Sequence, residues 1–144
     1  MIGSTKSLDR RVVIVTRPTR FENILAKENT ISQARFKLNS LSKISNMVAK
    51  SDESNTEFEV YEAEHSIYQE AIQLVRSRID RIASVQMLDR KYLPTFVFAD
   101  SDIVICLGQD GLVANTMKDL NGQPVTGVNP DKHTYDGVLL PFEP

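Results

Sequence analysis

The residues most suited to chemistry are Gly108, Gln109, Asp110 and Gly111, which follow an apolar run at 102–107 and precede a helix predicted over 112–120. Glycines at a strand end let the backbone approach a phosphate closely and adopt angles closed to other residues. The following helix would present free N–H groups and its positive dipole end to an anion. An aspartate there could act as a base on a hydroxyl or hold Mg²⁺. The turn therefore predicts a phosphate site, although the same residues also suit a tight strand-to-helix turn with Asp110 near the N-cap.

Other reactive side chains give weaker signals. Arg17 and Arg20 follow the first predicted strand, where they could bind ATP phosphates through charge-assisted hydrogen bonds or simply lie in a solvated loop. Glu62 and His65 have the i, i+3 spacing of neighbours on a helix, but no further ligands cluster around them in the sequence, which argues against a metal site. Cys106 lies inside an apolar run and is expected to be an inert core thiol.

These residues need elements to position them, and the pattern of apolar residues supplies strands alternating with helices. Strands are predicted over 11–17, 85–88, 102–107 and 125–128, with shorter ones at 58–61 and 137–142. Helices are predicted over 21–27, 32–49, 62–82 and 112–120, the last ending with Gly122 as its cap. Such alternation predicts an α/β fold, a three-layer flavodoxin-like domain with a mostly parallel sheet. Residues 1–10 are expected to be a flexible tail and residues 11–144 one α/β nucleotide-binding domain.

Composition excludes several classes of protein. The chain has 144 residues, of which 41% are hydrophobic and 25% charged, as is ordinary for a globular protein. No apolar run approaches the roughly 20 residues that a spanning helix needs, so no membrane association is expected. The net charge of −2 makes nucleic acid an unlikely partner. A single cysteine and no secretory leader predict a cytoplasmic location, and the sequence leaves the oligomeric state open, a homo-oligomer included.

The predicted turn fits neither of two common nucleotide motifs, since the chain lacks both the P-loop pattern and the Gly-x-Gly-x-x-Gly fingerprint. Residues 102–111, which read Asp-Ile-Val-Ile-Cys-Leu-Gly-Gln-Asp-Gly, instead resemble the Gly-Gly-Asp-Gly strand-turn of the NAD kinase family. Diacylglycerol-type lipid kinases and phosphofructokinases share that turn. Residues 123–129 and 136–142 are similar to the strands that follow it in NAD kinases, and this order and spacing favour that family over its relatives.

The resemblance implies a phosphotransferase. Members of the family transfer a phosphoryl group from ATP, or in some cases polyphosphate, to the 2′-hydroxyl of the adenosine ribose of NAD, which gives NADP. By resemblance Asp110 is the base on that hydroxyl, close to the Mg²⁺ and phosphates. Gly108, Gln109 and Gly111 line the nucleotide site, and Asn129 contacts ribose or phosphate. The expected ligands are therefore small-molecule nucleotides.

Three departures from the family keep other functions open. Gln109 stands where the family has glycine, and Leu112 stands where it has threonine. The family's second, β-rich domain has no counterpart in these 144 residues, so little or no turnover is expected from this chain alone. The alternatives are a kinase of another acceptor, such as a sugar or a lipid, and a non-catalytic nucleotide-binding or regulatory module.

Overall fold

The computed structural model describes residues 8–28 and 57–130. Its elements are β1 (Arg11–Thr16), α1 (Arg20–Glu28), α2 (Glu57–Asp80), β2 (Ser84–Asp89), a 3₁₀ helix (Arg90–Thr95), β3 (Ile103–Leu107), α3 (Asp110–Met117) and β4 (Val125–Val128). The chain divides into two compact units, and the boundaries fall between residues 17 and 18 and between residues 69 and 70. The predicted helix at 32–49 and strand at 137–142 lie outside the described residues. Within the described ranges, no helix is long and apolar enough to cross a membrane.

The first unit contains a four-stranded sheet in the order β2-β1-β3-β4. All three strand pairs are parallel: Val13 lies opposite Gln86 in β2 and Val104 in β3, and Ile105 lies opposite Thr126 in β4. This order is the flavodoxin-like one, in which the second strand lies on one side of the first and the later strands lie on the other. The predicted flavodoxin-like α/β fold is thereby confirmed.

The two central strands, β1 and β3, are buried on both faces, which explains why they are apolar without interruption. Val13 and Val15 share one face with Val104 and Cys106, and all four belong to one core cluster. The cluster also contains Leu88 of β2, Leu93 of the 3₁₀ helix, and Leu112 and Val113 of α3. Because side chains alternate along a strand, Val12 and Ile14 point to the opposite face, where they are also buried. A strand covered on both sides has no polar face to alternate with.

A buried ion pair joins β1 to the start of β3 at the amino ends of the strands. The Nε and Nη2 atoms of Arg11 donate to the two carboxylate oxygens of Asp102 at 3.0 and 2.5 Å. The Ala99 N–H also donates to this carboxylate, at 2.8 Å. The hydrogen bonds from Arg11 hold the pKa of Asp102 below its ordinary value, although burial acts in the opposite direction. The expected tail approaches this region, since Arg10 donates to the carbonyl of Ser101 at 2.7 Å.

The described part of the second unit contains α1 and the first part of α2. Its core is Phe58, which is buried against Phe21, Ile24, Leu25 and Tyr61. The predicted helix at 21–27 is confirmed. The predicted strand at 58–61 is wrong, because these residues form the beginning of α2. Phe58 and Tyr61 stand three apart, so they share one helix face that Tyr68 continues.

Two further boundaries differ from the sequence prediction. Helix α2 ends at Asp80, and α3 spans Asp110–Met117, with Lys118 as its C-cap. Gly122 therefore lies beyond the helix end and does not cap it. Its φ of 89° lies in the left-handed region, which glycine adopts readily because it has no Cβ atom. The predicted strands over 125–128 and 102–107 agree with β4 and β3 to within one residue.

Candidate functional site

The sheet order creates a natural ligand position at the carboxyl ends of β1 and β3. The chain leaves β1 to form β2 on one side and later forms β3 on the other, so the connections diverge between these two strands. In open parallel sheets, ligands bind in the crevice at such a switch point. In the β1–β3 register, Val15 lies opposite Cys106, so the residues that emerge at this edge are Thr16 and Arg17 from β1 and Leu107 and Gly108 from β3.

Arg17 and Gly108 lie against each other at this switch point. A Cβ atom placed on Gly108 would lie 3.4 Å from Nε of Arg17, 3.6 Å from its Cδ and 3.0 Å from Cδ2 of Leu112. Gly108 and the Nε atom of Arg17 are both buried. Because Gly108 has no side chain, the side chain of Arg17 has room to pack beside the end of β3.

Neither glycine of the turn has a positive φ, and only Gly108 has close neighbours that leave no room for a side chain, which corrects the sequence interpretation. Among the described glycines, the one with a positive φ is Gly122, not Gly108 or Gly111. Gly111 is exposed, and a Cβ atom added there would meet nothing within 4 Å. Gly108 is thus required by its neighbours, whereas Gly111 is not.

Helix α3 begins at this turn and points its amino end toward it. Gln109 is the N-cap residue, with φ −84° and ψ 166°, and its side chain makes no capping hydrogen bond. Its carbonyl oxygen accepts the Leu112 N–H at 2.9 Å. Asp110 supplies the first helical residue, and its side chain lies outside the description. The first-turn N–H groups and the helix dipole add positive potential beside Arg17, an arrangement suited to an anion.

Asn129 belongs to the same edge of the sheet. The Gly108 N–H donates to the carbonyl of Val128 at 3.2 Å, which extends the β3–β4 pairing beyond the end of β3. Asn129 follows directly and is buried, with 7% of its surface exposed. The structure therefore brings together at this edge the backbone positions of Arg17, the Gly108–Gly111 turn and Asn129.

Arg20 belongs to the second unit, while Arg17 belongs to the first. Its Nη2 lies 3.3 Å from Oε2 of Glu64, and its guanidinium carbon lies 5.2 Å from the ring centroid of Tyr61. The carboxylate offsets its charge, and the aromatic ring holds the guanidinium in place. This environment gives no support to the predicted role of Arg20 as a phosphate ligand.

A polar cluster in the second unit was not predicted. Thr19 caps α1, since its hydroxyl accepts the Glu22 N–H at 3.2 Å, and the same oxygen lies 2.9 Å from Nδ1 of His65. The Glu22 carboxylate lies 3.4 Å from that same nitrogen. A nucleophile–histidine–acid relay uses opposite ring nitrogens, so this cluster does not have catalytic geometry. Residues 19–22 have the Thr-x-x-Glu spacing of a capping box, which would have indicated the contact between Thr19 and the start of α1.

The remaining reactive groups are the thiol of Cys106 and the metal-ligating side chains. Cys106 is fully buried, and its burial raises the pKa of the thiol, as befits an unreactive core residue. Within residues 8–28 and 57–130, no group of three or more His, Cys, Asp or Glu side chains could hold a metal ion.

Comparison with protein-family models and with curated proteins finds no match for this chain.

Proposed function

We propose that this chain binds the phosphates of a nucleotide at the carboxyl ends of β1 and β3, as part of an NAD kinase-like phosphotransferase that uses ATP and NAD to form NADP. The observation that carries the proposal is the packing of Arg17 against Gly108 at the switch point. It supplies a cation and a side-chain-free backbone position at the place where parallel sheets bind ligands.

The charges at this edge favour an anion. The guanidinium of Arg17 carries a fixed positive charge and several donors whose geometry matches phosphate oxygens. The amino end of α3 adds backbone N–H donors from the turn that follows Gly108. Two sources of positive potential therefore meet beside a buried glycine.

The remaining roles follow from position along this edge. Asp110, at the start of α3, is the proposed base that takes the proton of the attacking 2′-hydroxyl. Gly108 and Gly111 supply backbone to the phosphates, and Asn129 supplies a polar contact at the end of β4. Arg20 has no part in the proposal, because its partner in the second unit is Glu64.

Mg²⁺ is not given a protein site in this proposal. Among the described residues, no cluster of three or more His, Cys, Asp or Glu side chains could hold a metal ion. Magnesium commonly binds through substrate phosphates with one or two carboxylates, so ATP would carry it to the site.

A kinase of another acceptor is the second candidate, and the turn itself favours keeping it. Gln109 places an exposed side chain where the resembled motif has none. Leu112 is buried in the core against Gly108, so it cannot replace the hydroxyl of the family's threonine. Offering NAD, sugars and a diacylglycerol together with ATP, and identifying the phosphorylated product, distinguishes these acceptors.

The test of phosphate binding is the affinity of the chain for ATP and for NAD, measured by calorimetry. Arg17→Gln should weaken ATP binding about 10- to 100-fold, because it removes charge-assisted hydrogen bonds worth about 1.5–3 kcal/mol. Arg81→Gln is the matched control, since Arg81 is an exposed arginine between α2 and β2, at the amino ends of the strands. Equal ATP affinities for these two variants would overturn the proposed site. Where the chain forms measurable NADP, Asp110→Asn should abolish that activity, and unchanged NADP formation would refute the role of Asp110 as the base.

A further inference from the structure

The two edges of the described sheet are built differently. Strand β4 forms one edge and has four residues that include Gly127, with Pro124 directly before it and Pro130 shortly after it. Short length, glycine and proline are means by which natural proteins keep an edge strand from pairing further. Strand β2 forms the other edge with the six residues Ser84–Asp89, which include no glycine, proline or lysine. The β2 edge therefore lacks the protection that the β4 edge has.

Strand β2 is also regular along its whole length. All six of its residues pair with β1 in one parallel register. Within the described sheet, no strand lies on the other side of β2. The Nε2 atom of Gln86 donates to the carbonyl of Met87 at 2.9 Å, in an exposed hydrogen bond between neighbours in the sequence. An added strand would offer a backbone N–H in place of this local bond.

Exposed cations lie at both ends of β2. Arg81 precedes the strand, and Arg90 and Lys91 follow it. Residues 81–91 contain one carboxylate, Asp89, which accepts the Lys91 N–H at 3.0 Å and so caps the 3₁₀ helix. The potential along this edge is therefore positive at both ends.

These cations decide between two kinds of occupant. If two β2 strands paired in antiparallel fashion, Arg81 of one copy would lie near Arg90 and Lys91 of the other. If they paired in parallel, each cation would lie near its own counterpart. Like charges repel in both arrangements, so the edge disfavours a second copy of this chain. A strand with carboxylates at both ends is attracted in either direction.

We propose that the edge of β2 binds an extended acidic segment of another protein, which adds to the sheet as a further strand. Main-chain hydrogen bonds to β2 supply the affinity in this mode of recognition, and side chains supply the specificity. Carboxylates at the two ends of the segment pair with Arg81 at one end and with Arg90 and Lys91 at the other. The surface is separate from the proposed nucleotide site, so each stands without the other.

The experiment measures, by fluorescence anisotropy, how the full chain binds a labelled peptide with the sequence Asp-Glu-Val-Thr-Val-Thr-Val-Glu-Asp. A second peptide with lysine in place of every Asp and Glu should bind at least about tenfold more weakly, because each exposed ion pair is worth about 0.2–1 kcal/mol and reversal makes it repulsive. A third peptide, acidic but N-methylated at alternate residues, should lose binding because it cannot donate to β2.

Variants of the chain locate the contact. Arg81→Glu combined with Lys91→Glu should weaken binding of the acidic peptide about tenfold, for the same reason. Lys118→Glu is the matched control, because Lys118 is an exposed lysine at the end of α3, and it should change the affinity by less than about twofold. Circular dichroism checks that all variants remain folded. In the ¹⁵N-labelled wild-type chain, the acidic peptide should shift the amide resonances of residues 84–89.

Several results would overturn the proposal. One is no binding of the acidic peptide at about 1 mM, and another is equal binding of the acidic and lysine peptides. Binding that survives N-methylation would show attraction by charge without strand addition. Equal losses in the Lys118→Glu control and in the double variant would show that the contact is not at β2. A wild-type dimer in sedimentation equilibrium that the acidic peptide does not dissociate would assign the edge to a second copy.

Discussion

Replacing Gly108 by alanine should destabilise the chain, while the same change at Gly111 should not. The new methyl group at Gly108 would lie 3.0 Å from Cδ2 of Leu112 and 3.4 Å from Nε of Arg17. Leu112 is itself buried and can yield only by disturbing the core cluster. Overpacking of this kind typically costs about 1–3 kcal/mol, and a single methyl group with one close contact belongs at the lower end, about 1–2 kcal/mol.

Gly111→Ala supplies the matched control because the chemistry is identical and the surroundings differ. An added Cβ atom meets nothing within 4 Å, and Gly111 lies in the first turn of α3. Alanine there should stabilise the protein by about 0.5–1 kcal/mol, since it restricts the unfolded chain and favours the helix. The two variants should therefore differ by about 2 kcal/mol in the free energy of unfolding.

Urea unfolding followed by circular dichroism measures this difference. With a slope of about 2 kcal/mol per molar urea, the two midpoints should lie about 1 M apart, with wild-type protein between them. The Gly108→Ala variant should also bind ATP more weakly, because its methyl group displaces Arg17. If the two alanine variants unfold at the same urea concentration, the reasoning that Gly108 makes room for Arg17 is refuted.

Four further outcomes are expected. Arg11→Gln should lower the free energy of unfolding in urea by about 2–3 kcal/mol. This is less than the usual 3–5 kcal/mol for breaking a buried ion pair, because the Arg11 side chain is 37% exposed. A loss below about 0.5 kcal/mol would refute the role of this ion pair in stability. Since the folded pKa of Asp102 is lowered, its stabilisation is complete above its ordinary value of 3.8 and is lost as the pH falls through the folded value. Wild-type protein should therefore lose more stability than Asp102→Asn as the pH falls below 3.8, and equal acid dependence in the two proteins would contradict this. Gly122→Ala should destabilise by about 1–2 kcal/mol, because φ is 89° there, whereas unchanged stability would show that the turn relaxes freely. The buried thiol of Cys106 should react with a thiol reagent only in urea, and rapid reaction of the native protein would show that this strand opens.

The central strands could be predicted because their burial leaves a simple mark in the sequence. Val12 to Val15 and Ile103 to Leu107 are continuous apolar runs, which is typical of strands covered on both faces. The sequence predicted the order of the strands only indirectly, through the flavodoxin-like fold class. It depends on pairings between segments far apart along the chain, such as Arg11 opposite Ser84, and no local pattern specifies them.

The start of α2 shows where a short-range pattern misleads. Glu57, Phe58, Glu59 and Val60 alternate polar and apolar residues as an exposed strand would. The same stretch also places Phe58 and Tyr61 on one helix face, and the packing of Phe58 against Phe21 of α1 decides between the two readings. That contact involves residues nearly forty positions apart, so periodicity within the stretch could not reveal it.

The candidate site was predictable as a turn but not as a set of contacts. The residue types at Gly108 and Gly111 indicated backbone close to a ligand, yet their different surroundings come from the neighbouring strand and helix. Arg17 and Arg20 looked equivalent in the sequence because both follow β1 closely. They belong to different compact units, since Pro18 begins the second unit, in which Arg20 contacts Glu64.

The position of β1 at the interior of the sheet has a consequence for how the protein folds during synthesis. Among the described strands, β1 is synthesised first, and its neighbours β2 and β3 follow only after many more residues. Until β2 and β3 have been synthesised, the apolar run Val12 to Val15 cannot form the strand pairs that it makes in the folded sheet. Parallel pairings across such sequence separations form slowly because a long loop must close first. Pairing on both sides of β1 should thus be complete only when β3 is available, and until then its apolar residues are exposed to aggregation.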